Sequence, residues 1–382
     1  MVGIVSLLMD VSSEMVLTLL PLYLATGLGA SALAIGFIEG LSVAIATLTK
    51  FLSGVFTDLS RRAKPLALLG YGLAALSRII FPLAATVDQI ILARAMDRIG
   101  KGIRGTPRDA LVAGASPPEL RGASFGLRKS LDTVGGFLGP LLAVGAMLLL
   151  SGNIVAVFWL AVIPATLAVL VLAFFVREPE AACAPKPSEF RLSAALRLNR
   201  AVWIVIAAAC AITVSKFSEA FVLLKSLEAG FAPAYVPLAM VLMHAVYGIA
   251  AYPVGALSDR MGSTGLLVLS LGFLAIAHLI LAFASTITVF LLGTVFWGLH
   301  MGFSQGLLAA MVARATPSHL KGSAFGLFNL LTGVTILIAN TGAGWLWFAY
   351  GSAVPFLVGA ALSILAMVGL GLYASRTVRS PR

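Results

Sequence analysis

Charge is scarce in this chain: of 382 residues only 11% are charged, against about 25% in an ordinary soluble domain. Cysteine is scarcer still. The two present, Cys183 in a polar stretch and Cys210 in an apolar one, give neither a disulfide framework nor metal-ligand spacing. The sequence has no Walker phosphate loop, no clustered His and Cys, no nucleophile–base constellation and no stretch polar enough for a soluble catalytic domain. Enzymatic activity is therefore not expected, and neither a metal nor a cofactor is implied. The amino terminus lacks a basic n-region before its first apolar run, which argues against a cleavable signal peptide. The polar/apolar alternation of a membrane barrel is missing too.

What the chain has is hydrophobicity, 60% apolar residues and a mean hydropathy of +1.04. At about 20 apolar residues per span this length accommodates about twelve membrane helices. Apolar runs place them at 3–28, 31–57, 66–87, 89–114, 123–150, 153–176, 201–227, 234–257, 263–284, 286–312, 323–349 and 352–374. The net charge of +11 would suggest nucleic acid in a soluble protein, but here its placement explains it. Arg61, Arg62 and Lys64 fall in the second loop, Arg121 in the fourth, and Arg177, Lys186, Arg191, Arg197 and Arg200 in the sixth. Arg260, Arg314 and Lys321 lie in later even loops, and Arg376, Arg379 and Arg382 in the tail. The positive-inside rule then predicts a multi-pass inner-membrane protein with both termini cytoplasmic and no nucleic-acid partner.

One long polar connector, 177–200, divides the chain into halves at 1–176 and 201–382. The halves repeat each other. Leu120-Arg121-Gly122-Ala123-Ser124-Phe125-Gly126-Leu127 returns as Leu320-Lys321-Gly322-Ser323-Ala324-Phe325-Gly326-Leu327, Gly72 and Arg78 return as Gly272 and His278, and Ser13-Glu14 returns as Ser218-Glu219. A parallel duplication of six helices is a transporter architecture, with the site expected near the bilayer midplane.

Both halves carry an acid just after the second span. The first reads Gly54-Val55-Phe56-Thr57-Asp58-Leu59-Ser60-Arg61-Arg62-Ala63-Lys64, the second Gly255-Ala256-Leu257-Ser258-Asp259-Arg260-Met261-Gly262. These resemble the loop signature of the major facilitator superfamily. The second copy matches closely, while the first has Leu59 where a basic residue is usual and Arg61 where glycine is. In span four, Leu92-Ala93-Arg94-Ala95-Met96-Asp97-Arg98-Ile99-Gly100 resembles the family's arginine motif, with Asp97 where glutamine is commoner. In span five, Gly126, Gly135, Gly139 and Pro140 keep the glycine spacing of the superfamily's antiporter motif, whose closing glycine pair is replaced by Ala143 and Val144. The resemblance covers nearly the whole chain. It implies an all-helical integral membrane fold of two pseudo-symmetric six-helix bundles that rock around a central cavity. It also implies a gating role for Asp58, Arg61, Arg62, Asp259 and Arg260, and for the bending and close packing of Gly135, Gly139 and Pro140.

A charge at the bilayer centre costs several kcal/mol, so each such residue is a functional candidate. Asp10 and Glu14 are four apart on one face of span one. They form either a site that takes up and releases a proton or a fixed brace to a basic residue of span four. Glu219 is the counterpart of Glu14, with Lys216 one turn before it. In span four Arg94, Asp97, Arg98, Lys101, Arg104, Arg108 and Asp109 fall within an arc of roughly 140° at 100° per residue. Arg104, Arg108 and Asp109 are expected to snorkel to the interface. The matching stretch of span ten carries no Lys, Arg, Asp or Glu between Thr294 and Val312, only His300 and Gln305. Arg78 on span three either binds substrate or pairs with an acid, and Arg128 and Asp132 are expected to neutralise each other.

The expectation is a monomeric secondary transporter whose partners are protons, a small-molecule substrate and the lipid bilayer. Proton coupling is assigned to Asp10, Glu14, Asp97 and Glu219. Substrate contact is assigned to Arg78, Arg94, Arg98, Lys101, Lys216, His300 and Asn329. The surplus of cations suggests an anionic or amphiphilic solute; complete pairing of acids and bases would instead leave an apolar pocket for neutral or cationic solutes. The expected activity is proton-coupled efflux by alternating access, toward which the span-five glycine pattern tips the choice. Uptake of an organic anion by proton symport is the alternative, and a non-transporting membrane sensor is the alternative of another class. The sequence does not exclude a sodium site.

Overall fold

A polypeptide in hydrocarbon must satisfy its backbone internally, and helices do so segment by segment. The computed structural model describes residues 1–60, 62–178, 198–261, 263–304, 307–316 and 320–378, and every regular element among them is helical. Span one is Val2–Gly27, an α-helix to Leu17 that ends in a π-helical turn, Tyr23–Gly27. Spans two to six are Ala32–Ser60, Ala63–Leu83, Val87–Gly114, Arg121–Leu149 and Ile154–Phe175. Span seven comes in two pieces, Arg200–Ser215 and Glu219–Glu228. Spans eight and nine are Leu238–Met261 and Ser263–Ala282, and span ten comprises Ile287–Ser304 and Leu307–Ala315. Spans eleven and twelve are Lys321–Tyr350 and Ala353–Val378. Among the described residues eleven helices are long and apolar enough to cross a membrane. The twelfth, Val87–Gly114, is 28 residues long, about 42 Å at 1.5 Å per residue, and only its charges set it apart.

Short polar side chains start several spans. Asn153 Oδ1 accepts from Ala156 N at 3.1 Å, Asn199 Oδ1 from Val202 N at 3.0 Å, and Ser31 Oγ from Ala34 N at 3.2 Å, each satisfying a backbone donor that the first turn leaves open. Span eleven stops at Gly351, whose φ of +95° favours glycine. Span three starts on a carboxylate from the connector: Glu178 Oε1 and Oε2 accept from Ala63 N and Lys64 N at 2.7 and 2.8 Å, and the helix dipole favours that negative charge. The rest of the connector, 179–197, lies outside the described residues.

The chain forms two compact units. The first holds Met1–Ala30, Leu41–Pro187 and Pro233–Val241. Its core joins spans one, three, four and six through Val5, Met9, Tyr71, Leu111, Ala168 and Leu172. Spans three and four meet backbone to backbone, because a Cβ on Gly100 would lie 2.6 Å from Gly70 O. The second unit holds Ser31–Gly40, Ser188–Ala232 and Leu242–Arg382. It has two apolar clusters, one around Val202, Ile206, Val312 and Leu327, the other around Ile212, Leu266, Leu271 and Leu370. The first residues of span two belong here, and a Cβ on Gly344 of span eleven would lie 2.5 Å from Ala32 O.

Candidate functional site

The first unit encloses an ionic centre. Arg78 of span three is fully buried, and its guanidinium donates to Asp97 Oδ1 of span four at 2.7 Å. It also donates to two hydroxyls of span one, Ser13 Oγ at 2.8 Å and Ser12 Oγ at 3.2 Å, and to Ser77 Oγ of its own span at 3.3 Å. Ser12 in turn donates to Ala161 O of span six at 2.7 Å, so four spans converge on one guanidinium. Arg98 Nη2 lies 3.2 Å from the other oxygen of Asp97, and one carboxylate therefore faces two cations. Arg94, Asp97 and Arg98 are all buried.

About two turns further along span four, Arg104 Nη2 is 3.9 Å from Asp10 Oδ1, and its guanidinium carbon sits 4.8 Å over the Tyr71 ring. The expectation that Arg104 snorkels to the interface is thus corrected: it is only 4% exposed. The close approach of spans three and four at Gly70 and Gly100 brings the Tyr71 face beneath it, and cation–π attraction holds it there. Arg108 and Asp109 are more accessible and pair at 3.1 Å. Arg128 and Asp132 pair at 2.9 Å, as their spacing implies. Lys101 is exposed, makes no ion pair within 4 Å among the described residues, and lies within electrostatic reach of Arg98 above all, then of Asp10, Arg104 and Glu14.

Span five fixes the acids of span one from behind. A Cβ on Gly135 would lie 2.9 Å from Leu7 O and 3.0 Å from Asp10 Cβ, and one on Gly139 would lie 2.5 Å from Glu14 Cβ and 2.8 Å from Val11 O. Both glycines and Pro140 are buried. The glycine pattern and the acidic pair, read separately in the sequence, are one contact.

The second unit is built differently at the same positions. The sequence reading runs span seven unbroken through 201–227, yet the helix stops at Ser215 and restarts at Glu219. The break is held by partners: Ser218 N donates to Asn340 Oδ1 at 2.7 Å, Ser218 Oγ to Glu39 Oε2 at 3.2 Å, and Ser218 Oγ caps Ala220 N at 3.2 Å. Lys216 Nζ and Glu219 Oε1 flank it, 3.2 Å apart. His300 is buried, its Nδ1 2.8 Å from Ser270 Oγ and 3.0 Å from Ser270 O. His278, the repeat of Arg78, is fully buried, and among the described residues neither ring nitrogen has a hydrogen-bond partner. Its neighbours are aromatic, Phe217 at 5.1 Å, Trp297 at 5.2 Å and Phe356 at 6.2 Å between centroids. Where the first unit has Ser12, Arg78 and Asp97, the second has Phe217, His278 and Trp297. Asn329 is half-buried on span eleven.

The family profile of the Major Facilitator Superfamily matches residues 2–243 and 218–382. The chain belongs to the major facilitator superfamily. An uncharacterized MFS-type transporter of Methanocaldococcus jannaschii is 29% identical over 377 residues, covering 94% of this chain and 92% of that protein. Crystal structures share the fold at lower identity. A variant of the nucleoside transporter NupG superposes with a TM-score of 0.84 at 15% identity over 97% of this chain and 98% of the other. A variant of the peptide transporter POT gives 0.82 at 13% identity over 98% and 93%.

Of the superfamily's gating motif, Arg61 and the side chains of Asp58, Asp259 and Arg260 lie outside the described residues, while Arg62 is exposed. Among the substrate candidates, Arg78 and His300 have no surface to offer a solute in this conformation, and Lys101 has the most. Sequence reasoning missed Ser12, Tyr71, Ser270 and Trp297 as partners of the charged and histidine side chains. Their one signal was a polar or ring-bearing residue on a face that otherwise reads as core.

Proposed function

We propose that this superfamily member is a proton-coupled exporter of a small organic solute bearing a carboxylate or phosphate, working by alternating access in the inner membrane with both termini cytoplasmic. The observation that carries the reading is the charge balance of the first unit's centre. Arg78, Arg98, Lys101 and Arg104 stand against Asp10 and Asp97, four cations to two acids. Asp97 is shared between Arg78 and Arg98, and Lys101 stays accessible. An uncompensated cation away from bulk water is costly, and an anionic solute group supplies the missing counter-charge.

Proton coupling rests on Asp10 and Glu14, with Glu219 as the second-unit counterpart and Asp97 as the buried counter-ion that keeps Arg78 and Arg98 in place. Asp10 is a quarter exposed and only 3.9 Å from Arg104, beyond hydrogen-bonding distance, so protonating it breaks no tight pair. Export rather than uptake is favoured by the span-five glycines seated on both acids. Arg94, Arg98, Lys101, Lys216, His300 and Asn329 are proposed to meet the solute at some stage of the cycle. The test is flux in proteoliposomes: an imposed pH gradient is expected to drive accumulation of an organic anion. Flux that ignores that gradient and follows sodium instead would sink the coupling scheme.

A further inference from the structure

The duplicated halves treat one helix seam in opposite ways. In the first unit spans one and six close on each other: Val5 and Met9 share a core with Ala165, Ala168 and Leu172, and Ser12 bonds Ala161 O. Aligning Ser13 with Ser218 and Phe158 with Phe356 carries Met9, Ala168 and Leu172 onto Val214, Ala366 and Leu370. Those three residues line an open trough of about 510 Å³ between spans seven and twelve, with Met311 at its back. At the next position Phe217 replaces Ser12 and packs edge-to-face against Phe356, 5.1 Å between centroids.

We propose that one acyl chain of a membrane phospholipid occupies this trough. All of its lining side chains are apolar, so a polar solute or a peptide backbone would find no hydrogen-bond partner there, and water none either. Its mouth is formed by exposed residues of membrane-spanning helices, among them Ala207, Ala211, Leu365 and Gly369. From Ile204 to Val214 the span-seven wall runs about 15 Å at 1.5 Å per residue, which matches one leaflet of a hydrocarbon core about 30 Å thick. A chain moving from bilayer to trough gains no hydrophobic free energy, since both are hydrocarbon. It is retained by dispersion contacts along two helix walls, which a void would forfeit. Gly369 lines the trough beside free space, since a Cβ there would meet nothing within 4 Å, so a larger side chain at this position would project into it.

The experiment uses the full chain in nanodiscs containing a phospholipid with a photoreactive diazirine in mid-chain. After illumination, peptide mapping is expected to show label on 204–214 and 362–370 several-fold above the exposed face of span six, Leu160 to Leu170. Gly369→Leu is expected to bring that label down to the span-six level. Gly371→Leu, which has similar free space but lines no trough, leaves it unchanged. Ala211→Leu, from the opposite wall, repeats the loss independently should Gly369→Leu fail to fold. Uniform labelling, or labelling indifferent to both filling variants, overturns the proposal. So does displacement of the label by soluble organic anions, which would assign the trough to the solute, or cross-linking between copies at Leu365, which would assign it to a dimer.

Discussion

Arg78 sits where a charge is least welcome, and everything around it compensates: one carboxylate and two hydroxyls within 3.2 Å. Removing one partner of such a pair strands the other, which costs about 3–5 kcal/mol. Arg78→Ala or Asp97→Ala is therefore expected to destabilise the purified protein by that order, read from unfolding in detergent. The double variant should lose less than the sum of the two, because neither charge is then left alone. His278 predicts the opposite behaviour. Its ring nitrogens make no hydrogen bond among the described residues, so His278→Leu, similar in volume and apolar, is expected to change stability by less than about 1 kcal/mol or to raise it. A loss as large as that of Arg78→Ala would mean that the imidazole has a partner. Sequence alone identified Arg78 and Asp97 as charges needing a partner, because hydrocarbon tolerates no bare ion. It could not match them to each other, since the match depends on how spans three and four are rotated about their axes.

At the scale of helices, the apolar runs located every span to within a few residues, because length and hydropathy are local properties. The interruption of span seven was not legible, for the apolar run continues on both sides of Lys216–Ser218 and the two acceptors that hold the break, Asn340 Oδ1 and Glu39 Oε2, come from spans eleven and two. Asn340→Ala removes the acceptor for Ser218 N, and a buried unsatisfied amide costs about 1–3 kcal/mol. The expected outcome is a loss of stability of that size, with faster hydrogen exchange confined to residues around 215–220. The packing of spans one and five offers a second test. Gly139→Val places methyl groups where Glu14 Cβ and Val11 O already stand, and overpacking of this kind costs about 1–3 kcal/mol. Gly145→Val on the same helix meets open space and is expected to be silent in both stability and flux. Equal effects from the two valines would show that the span-five glycines do nothing specific for the acids of span one.

For the whole molecule, the transport cycle we propose asks different things of different members of the ionic centre. The charges divide by accessibility. Arg78 and Asp97 are buried and mutually satisfied and define the frame, whereas Asp10 and Lys101 keep contact with the outside. Asp10→Asn combined with Glu14→Gln is expected to abolish accumulation driven by a pH gradient while leaving solute binding intact, because the amides keep shape but cannot exchange a proton. Lys101 then carries the prediction about solute charge. A charge-assisted hydrogen bond to an anionic group contributes about 1.5–3 kcal/mol, so Lys101→Ala should weaken anion binding by about 10- to 100-fold. Thermal shifts of the purified protein against anionic, neutral and cationic libraries read this directly. Anions are expected to stabilise the parent protein and to lose most of that effect in Lys101→Ala, whereas neutral compounds act equally on both. Stabilisation by cations alone, unchanged by the substitution, would place the solute against Asp10 and Glu14 and leave Arg78, Arg98, Lys101 and Arg104 to the fold.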